Sequence, residues 1–374
     1  MTAQTEQFET VVVGGGQAGL AAGYHLKRRG MEHLILDAGE RIGDPWRGRW
    51  PSLRLYSPAK YDGLPGMRFP GRKLAFPTTN EMADYLEAYA ERFELPIRNG
   101  IRVDGLARDG DRYVVSAGER RLEADNVVVA TGVMQVPVVP EFAHELAPRI
   151  TQLHSNDYRG PEQLEPGTTL VVGASHSGAD IAYELAATYP VVLSGPSRGQ
   201  LPVSVESRRA RVVAPVLKRL AKHVLTVDTP IGRKMKPDVR SHGAPLLRYR
   251  KADLEVVGVE RIFHRVAGAQ DGLPVLADGR VLDVANVIWC TGFRPDYSWI
   301  DLPLEYEGAF PKQYRGAVDG FPGLYFVGML FLHSFASMLV LGAGRDAKRV
   351  VEHIAARATE RTAGARGLPL EAVA

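Results

Sequence analysis

Hydrophobic and polar positions along this chain follow one plan twice. A β-branched run, Val11 to Val13, passes through glycines into an Ala/Leu-rich segment of helical spacing, Gln17 to Arg29, which Gly30 stops. A second apolar run follows at His33 to Leu36. The order returns as a strand at Thr169 to Val172, a helix at Ser177 to Ala187 and a strand at Val191 to Leu193. Shorter runs lie between these units and the end of each half. In the first half they are Ile101 to Leu106, Tyr113 to Ser116 and Arg121 to Leu122, parted by Asp-Gly and Ala-Gly turns. In the second they are Leu254 to Val257, Arg261 to Val266 and Val275 to Leu276, with Asp278-Gly279 as a hairpin signal. The pattern predicts an α/β fold with two Rossmann-like dinucleotide-binding domains, each a parallel sheet with a small antiparallel excursion.

Two further patterns need a reading. Phe321 to Gly344 carries no formal charge and is long enough to suggest a membrane span. Pro322, His333, Ser334, Ser337 and several glycines interrupt it, so it predicts a buried strand (Leu324 to Val327), a loop, and a helix entering through Gly342 and Gly344. Val212 to Leu225 shows a Val/Leu face at helical spacing, with Lys218, Arg219, Lys222 and His223 outside it. This helix is read first as a lid packed over the second half, and second as a contact with a membrane surface.

The glycines joining these elements carry the chemistry. Gly14, Gly16 and Gly19 (GGGQAG) fit a dinucleotide loop: Gly14 for the tight turn, Gly16 for close approach of a pyrophosphate, Gly19 for helix-on-strand packing. Asp37 ends the following strand, where a carboxylate accepts hydrogen bonds from ribose hydroxyls. In the second loop Gly173 and Gly178 (GASHSG) repeat the frame, with Ser175, His176 and Ser177 between them. No acid closes its second strand. Ser194, Ser197 and Arg198 stand there instead, and an arginine at that place pairs with a 2′-phosphate, so this half is expected to prefer NADPH to NADH. Each half closes on a strand ending in Thr-Gly, Thr131-Gly132 and Thr291-Gly292. The spans Gly14 to Gly132 and Gly173 to Gly292 differ by one residue, 118 against 119.

Composition narrows the class. The 374 residues, 45% of them hydrophobic, suffice for two domains, and a net charge of +3 gives no field for nucleic acid. The charge is uneven: Glu206 to Lys251 holds thirteen Lys/Arg against three acids, a local net of +10. Cys290 is the single cysteine, which removes intrachain disulfides, Cys-x-x-Cys redox pairs and cysteine-rich zinc sites; no metal site is expected. Cys290 itself reads as a small core residue. The start MTAQTEQFET lacks the succession of a secretion signal, so a cytoplasmic location is the expectation.

With these residues in view, the chain from Val11 to about His353 resembles the two-dinucleotide-domain flavoproteins, and within them the flavin-containing monooxygenases. The segment GERIGDPWRGRWPSLRLYSP is similar to the one that follows the flavin ribose acid in that family, and Trp46-Arg47 matches its flavin-contacting pair. LRLYSPAKYDGLPG is closer to the plant YUCCA-type enzymes and to bacterial CzcO-like flavoproteins than to the animal enzymes. DNVVVATG, VIWCTGF and LYFVG match the family's core strands. The linker motif survives as His154, Ser155 and Tyr158, while Pro148 and Ile150 replace its Phe and Gly. The Trp-Pro ending of Baeyer-Villiger members is Tyr158-Arg159 here, and LRLYSPAK lacks the asparagine that animal enzymes place beside the flavin.

The resemblance implies a glutathione-reductase-like ββα fold with an NADPH domain (151–290) inserted into an FAD domain (1–150 and 291–374). It implies FAD held by Gly14, Gly16, Gln17, Ala18, Gly19, Asp37, Trp46, Arg47, Val103, Thr131, Gly132, Gly328 and Met329. NADPH would be held by Gly173, Ser175, His176, Ser177, Gly178, Ser197, Arg198, Thr291 and Gly292. In such proteins a hydride passes from NADPH to flavin, and oxygenation of a small organic substrate runs through a flavin C4a-peroxide, which needs an enclosed apolar pocket. Phe326, Met329, Phe331, Phe335 and Met338 are its candidate walls, with His333 and Tyr56 as polar points. Partners are then a substrate and O2, and a homodimer is compatible with the pattern. Two other readings stay open: a reductase passing electrons to a small acceptor or partner protein, and a non-catalytic redox-sensing flavoprotein. His154 and Ser155 are expected to steady the linker, and His176 to face the pyrophosphate or solvent.

Overall fold

The computed structural model describes residues 5–365; the first four residues and 366–374, the latter within the last expected domain segment, lie outside it. Two sheets organise the chain. In the first, parallel strands run in the order Ile97–Arg98, His33–Leu36, Glu6–Val13, Arg120–Val129, with Leu324–Phe326 beside the end of the last. In the second the parallel order is Glu260–Ile262, Val191–Ser194, Thr169–Val172, Asn286–Trp289, Thr151–His154. A strand at residue 324 thus completes a sheet begun at residue 6, and the whole second sheet is threaded between. The two connections meet where Phe293–Arg294 pairs antiparallel with Val136–Pro137.

Local sequence accounts for the helices. α1 (Gln17–Arg28) buries Ala18, Leu20, Ala21, Ala22 and Leu26 against the first sheet. The short α2 (Asp44–Arg47) precedes α3 (Thr79–Arg92), which starts in a capping box: Glu81 N–H donates to Thr78 Oγ1 (3.1 Å) and Thr78 N–H to Glu81 Oε2 (2.7 Å). A cap of this kind is worth about 1 kcal/mol. α4 (His176–Leu185) serves the second sheet as α1 serves the first. α5 (Arg208–His223) and α6 (Pro230–Ser241) form an excursion, each capped by a side chain, Ser207 and Thr229. α7 (Lys251–Val256) and the long α8 (Val340–Ala365) complete the set. Apolar side chains on both faces of each sheet make four cores, which explains why the central strands read as unbroken apolar runs.

Four expectations change, the first being Ile101 to Leu106, which is strand only from Gly105, within Gly105–Asp109. Leu254 to Val257, read as a strand, is the helix α7, because Asp253 Oδ2 accepts from Arg250 N–H (2.8 Å) to nucleate a turn that buries Leu254 and leaves Val256 86% exposed. Arg121 to Leu122 is not a separate strand. It opens Arg120–Val129, whose first half pairs antiparallel with Arg112–Ala117 and whose second half pairs parallel with Leu324–Phe326. Arg261 to Val266 divides: Glu260–Ile262 joins the parallel sheet, while Val266–Gln270 and Leu273–Leu276 form a hairpin of their own. The apolar stretch from Phe321 is a buried strand and a loop leading to α8, and among the described residues no helix is long and apolar enough to cross a membrane.

Candidate functional site

Both phosphate loops are built by the same backbone contacts. Gly14 has φ +113° and Gly173 φ +112°, conformations that disfavour any side chain. A Cβ at Gly19 would fall 1.8 Å from the carbonyl oxygen of Gly14, and one at Gly178 1.9 Å from that of Gly173. Helix and strand can approach this closely only over glycine. In front of Gly16 nothing lies within 4 Å of where a Cβ would sit. The N-cap residues of α1 and α4 supply no side-chain cap, as is true of the short α2 and α7 and unlike α3, α5 and α6. Unpaired amides at the positive end of a helix dipole suit a pyrophosphate, so the residues present fit a dinucleotide at each loop.

The first loop is finished by a carboxylate. Asp37 Oδ2 accepts from Gly15 N–H (2.6 Å) and Oδ1 from Gly39 N–H (2.9 Å), which fixes the carboxylate at the loop and leaves each oxygen a further lone pair for a hydroxyl. The segment leading to Val103 runs alongside, with Ile101 N–H donating to the Asp37 carbonyl (2.8 Å). Gly328, at φ +75°, sits so near α1 that its Cβ would meet Ala18 Cβ at 2.9 Å, and Gln135 Nε2 donates to Thr131 Oγ1 (2.9 Å) and the Gly132 carbonyl (2.8 Å). Gln17 and Ala18 form the first turn of α1. Trp46 packs partly buried on the α1–α3 core; the Arg47 guanidinium is held by Asp84 and Glu87, both at 2.7 Å, and by the Ile42 carbonyl.

The second loop is finished by cations and by contact with the first half. Ser175 Oγ donates to the Ala244 carbonyl (2.8 Å) and lies 3.0 Å from His176 Nδ1; Ser177 follows in the first turn of α4. Ser197 and Arg198 lie past the strand end, where Arg198 Nη2 pairs with Asp238 of α6 at 2.9 Å. Arg261 is close in sequence to the same sheet edge, but its guanidinium is spent on the carbonyls of Leu193, Gly195 and Ile262. Thr291 Oγ1 donates to the Val138 carbonyl, and the Gly292 carbonyl accepts from Val138 N–H and lies 3.1 Å from His154 Nε2. His154 therefore braces the linker, as its position beside Ser155 suggests.

Sequence reasoning missed the densest polar cluster between the halves. Arg248, 7% exposed, donates to Asp180 Oδ2 (2.9 Å), Glu206 Oε1 (2.6 Å) and the carbonyls of Arg54 (3.2 Å) and Leu55 (3.1 Å). Tyr56 O–H donates to the same Asp180 oxygen at 2.8 Å, and the guanidinium lies 5.0 Å from the Tyr56 ring centre. Residues 54–56 are thereby clamped to α4 of the other sheet. Burial pushes the Asp180 carboxyl up to about 6, with Arg248 opposing the shift. His176 turns its ring edge-on to Tyr56, centroids 5.0 Å apart, rather than to an open pyrophosphate face, and burial with the Arg248 charge drives it down to about 4. The only hint in the sequence was an acid inside the otherwise apolar GADIA of α4.

The expected pocket walls divide. Phe326 and Met329 belong to the close-packed core on one face of the first sheet, Phe326 edge-on to Tyr297. Phe331 is fully buried at φ +51°, a left-handed conformation rare for a bulky residue and one that persists only where the surroundings hold it. His333 is buried, pushed down to about 4 by burial and by Arg349, Arg345 and Arg315, and its Nδ1 has no hydrogen-bond partner. Phe335 and Met338 are half-buried. Cys290 is buried in the core of the second sheet, which pushes its thiol up to about 12. Among the described residues no group of three His, Cys, Asp or Glu side chains is placed to hold a metal ion.

Two dinucleotide loops on two parallel sheets, one inserted in the other, define a flavoprotein oxidoreductase of the two-nucleotide class, and comparison with known proteins agrees. Residues 11–230 match the pyridine nucleotide-disulphide oxidoreductase model. An uncharacterized CzcO-like oxidoreductase of Geobacillus kaustophilus is 36% identical over 349 residues, covering 92% of this chain and 98% of that protein. A probable indole-3-pyruvate monooxygenase, YUCCA7 of Arabidopsis thaliana, is 28% identical over 394 residues, covering 94% of this chain and 88% of that one. A flavin-containing monooxygenase from Stenotrophomonas maltophilia superposes with a TM-score of 0.76 at 26% identity, over 94% of this chain and 99% of the other. The chain belongs to the pyridine nucleotide-disulphide oxidoreductase family, on its CzcO-like, flavin-containing monooxygenase branch.

Proposed function

We propose that the chain is an NADPH-dependent, FAD-containing monooxygenase that oxygenates a small organic molecule with O2. The observation that carries this reading is the pair of like-built loops finished with opposite charge, Asp37 in one and Arg198 in the other. With a single cysteine the chain has no thiol pair to receive electrons, which sets it apart from the disulphide chemistry in its family's name. Its FAD and NADPH parts are assigned as 1–150 with 291–374 and as 151–290, a division that sheet membership supports.

Bound FAD supplies hydride acceptance and the reaction with oxygen, and the protein supplies the rest. Gly14, Gly16, Gln17, Ala18 and Gly19 receive the flavin pyrophosphate on main-chain amides, Asp37 takes its ribose, and Val103 flanks the adenosine end. Thr131, Gly132, Gly328 and Met329 close the loop from the strand ends. Trp46 and Arg47 would contact the flavin, with the Arg47 guanidinium held by Asp84 and Glu87. Gly173, Ser175, Ser177 and Gly178 receive the coenzyme, to which His176, its ring turned to Tyr56, adds its main-chain amide, with Thr291 and Gly292 at the crossing point and Ser197 and Arg198 at the 2′-phosphate. Tyr56, Asp180 and Arg248 fix the two halves in register, and with them the two nucleotide loops. Phe331 and His333 are assigned to the substrate side, where burial and the charges of Arg349, Arg345 and Arg315 keep the imidazole neutral.

Anaerobic stopped-flow mixing with NADPH, followed by O2, tests this. We expect rapid bleaching of the flavin and then a transient absorbing species before reoxidation. Bleaching without the transient would make the chain a reductase, and no bleaching at all a redox-sensing flavoprotein.

A further inference from the structure

The excursion that carries the basic cluster contains a helix turned inside out. On α5, Ala210, Ala214 and Ala221 face inward together with Lys218 and Lys222, whereas the Val/Leu stripe faces solvent: Val212 is 77% exposed, Val216 59% and Leu217 53%, with Val213, Leu220 and Val224 beside them. Lys218 lies on the Tyr61 ring, 4.5 Å from its centre, and the Lys222 carbonyl accepts from Arg345 at 2.6 Å. A lid packed over the nicotinamide half would point its apolar face the other way, so that expectation is corrected: the alanine face packs and the Val/Leu face is free. The orientation is secured at both ends. Ser207 caps the N-terminus, and past the C-terminus Val227 N–H donates to the His333 carbonyl and Phe335 N–H to the Leu225 carbonyl, both at 2.9 Å.

We propose that α5 is a docking face for an anionic lipid bilayer, on which the helix lies in the plane of the headgroups. Charge selects this occupant. Ser207 to Val227 contains six Lys/Arg and no acid, and Arg209, Arg211 and Arg219 are exposed around the stripe. Two copies of the chain meeting through this face would set cation against cation, whereas acidic headgroups answer it. An exposed apolar stripe with cations at its margins is also the pattern of an interfacial helix, and α5 is too short to span. Because the helix is tied to residues 333–335, docking would bring the substrate side of the protein to the bilayer surface, where apolar molecules collect.

The full chain loaded with FAD is floated with vesicles of equal parts phosphatidylcholine and phosphatidylglycerol, and separately with phosphatidylcholine alone. Binding should be confined largely to the anionic vesicles, fall with added salt, and drop about fivefold for each of Arg209→Gln and Arg219→Gln. V216E combined with L220E should abolish flotation while leaving the rate of flavin reduction by NADPH unchanged, which shows that the variant is folded. Absence of flotation of the parent chain overturns the proposal. So does a concentration-dependent dimer, seen by sedimentation, that the same two substitutions dissolve, or flotation that survives them.

Discussion

In the first loop the methyl that Gly19 lacks would strike the Gly14 carbonyl at 1.8 Å; in the second, the methyl that Gly178 lacks would strike Gly173 at 1.9 Å, so the steric frames are nearly interchangeable. Their surroundings are not. The first strand pair ends on Asp37, held by two loop amides, and the second on Ser197 and Arg198, with a clamp of Tyr56, Asp180 and Arg248 along its helix. Backbone geometry is dictated by what every dinucleotide shares, a pyrophosphate. Side chains are dictated by what differs, a ribose hydroxyl in one case and a phosphate ester in the other.

The sharpest way to break this comparison is to spoil one frame at a time. Gly19→Ala should yield protein without bound flavin, visible as loss of yellow absorbance. Gly178→Ala should keep its flavin but lose NADPH-driven reduction by at least about a hundredfold, since a displacement near 1 Å is enough for that. If Gly178→Ala also sheds FAD, the loops are not independent and each half does not own one nucleotide.

How far the chain could be read before its structure follows from which of these features are local. Glycine spacing, the strand–helix–strand order and Asp37 are local, and each was legible. The same holds for the exchange of an acid for Arg198. The clamp was not, because Arg248 and Asp180 stand 68 residues apart and only the folded chain joins them. α5 shows the subtler limit: periodicity revealed an apolar face but not which side of the helix the protein uses. α7 reads as a strand because Val256 and Val257 are β-formers, and a single carboxylate, Asp253, outweighs them by capping a turn.

Two buried carboxylates, Asp62 in the first half and Asp180 in the second, differ by a cation. Asp62 is fully buried, bonded to Ser57 alone, and pushed up to about 7 by burial. Asp180 is nearly as buried, yet Arg248 and Tyr56 hold it to about 6. Removing the cation should make the second resemble the first. Arg248→Met is expected to cost about 3 kcal/mol of stability at pH 8. It should cost less at pH 5, where Asp180 is protonated with or without its partner. For Asp62 the sign is the opposite of the usual carboxylate. The fold keeps its proton up to about 7, the unfolded chain releases it near its ordinary value, and stability therefore falls as pH rises between the two. Asp62→Asn has no proton to lose, so its stability relative to the parent should improve by about 2 kcal/mol between pH 5 and 7.5, measured by urea unfolding. A difference that does not vary with pH would mean Asp62 is ionised in the fold.

The smallest expected effect tests the charge exchange itself. Arg198 is already paired, but with Asp238, a carboxylate 64% exposed at 2.9 Å. Such surface pairs are worth roughly 0–1 kcal/mol, against about 1.5–3 for a hydrogen bond to a charged group, so a 2′-phosphate should displace Asp238 rather than be refused by it. Arg198→Ala should lower the NADPH:NADH ratio of kcat/KM about tenfold, mostly through KM, because the phosphate lies far from the reacting carbon and its binding is the same in ground and transition states. Asp238→Asn should move the ratio the other way by freeing the guanidinium. An unchanged ratio in both variants would leave Asp37 as the only charge that distinguishes the loops. Coenzyme choice would then rest on Ser197 and the main chain, since Arg261, the other cation at that sheet edge, has committed its guanidinium to the carbonyls of Leu193, Gly195 and Ile262.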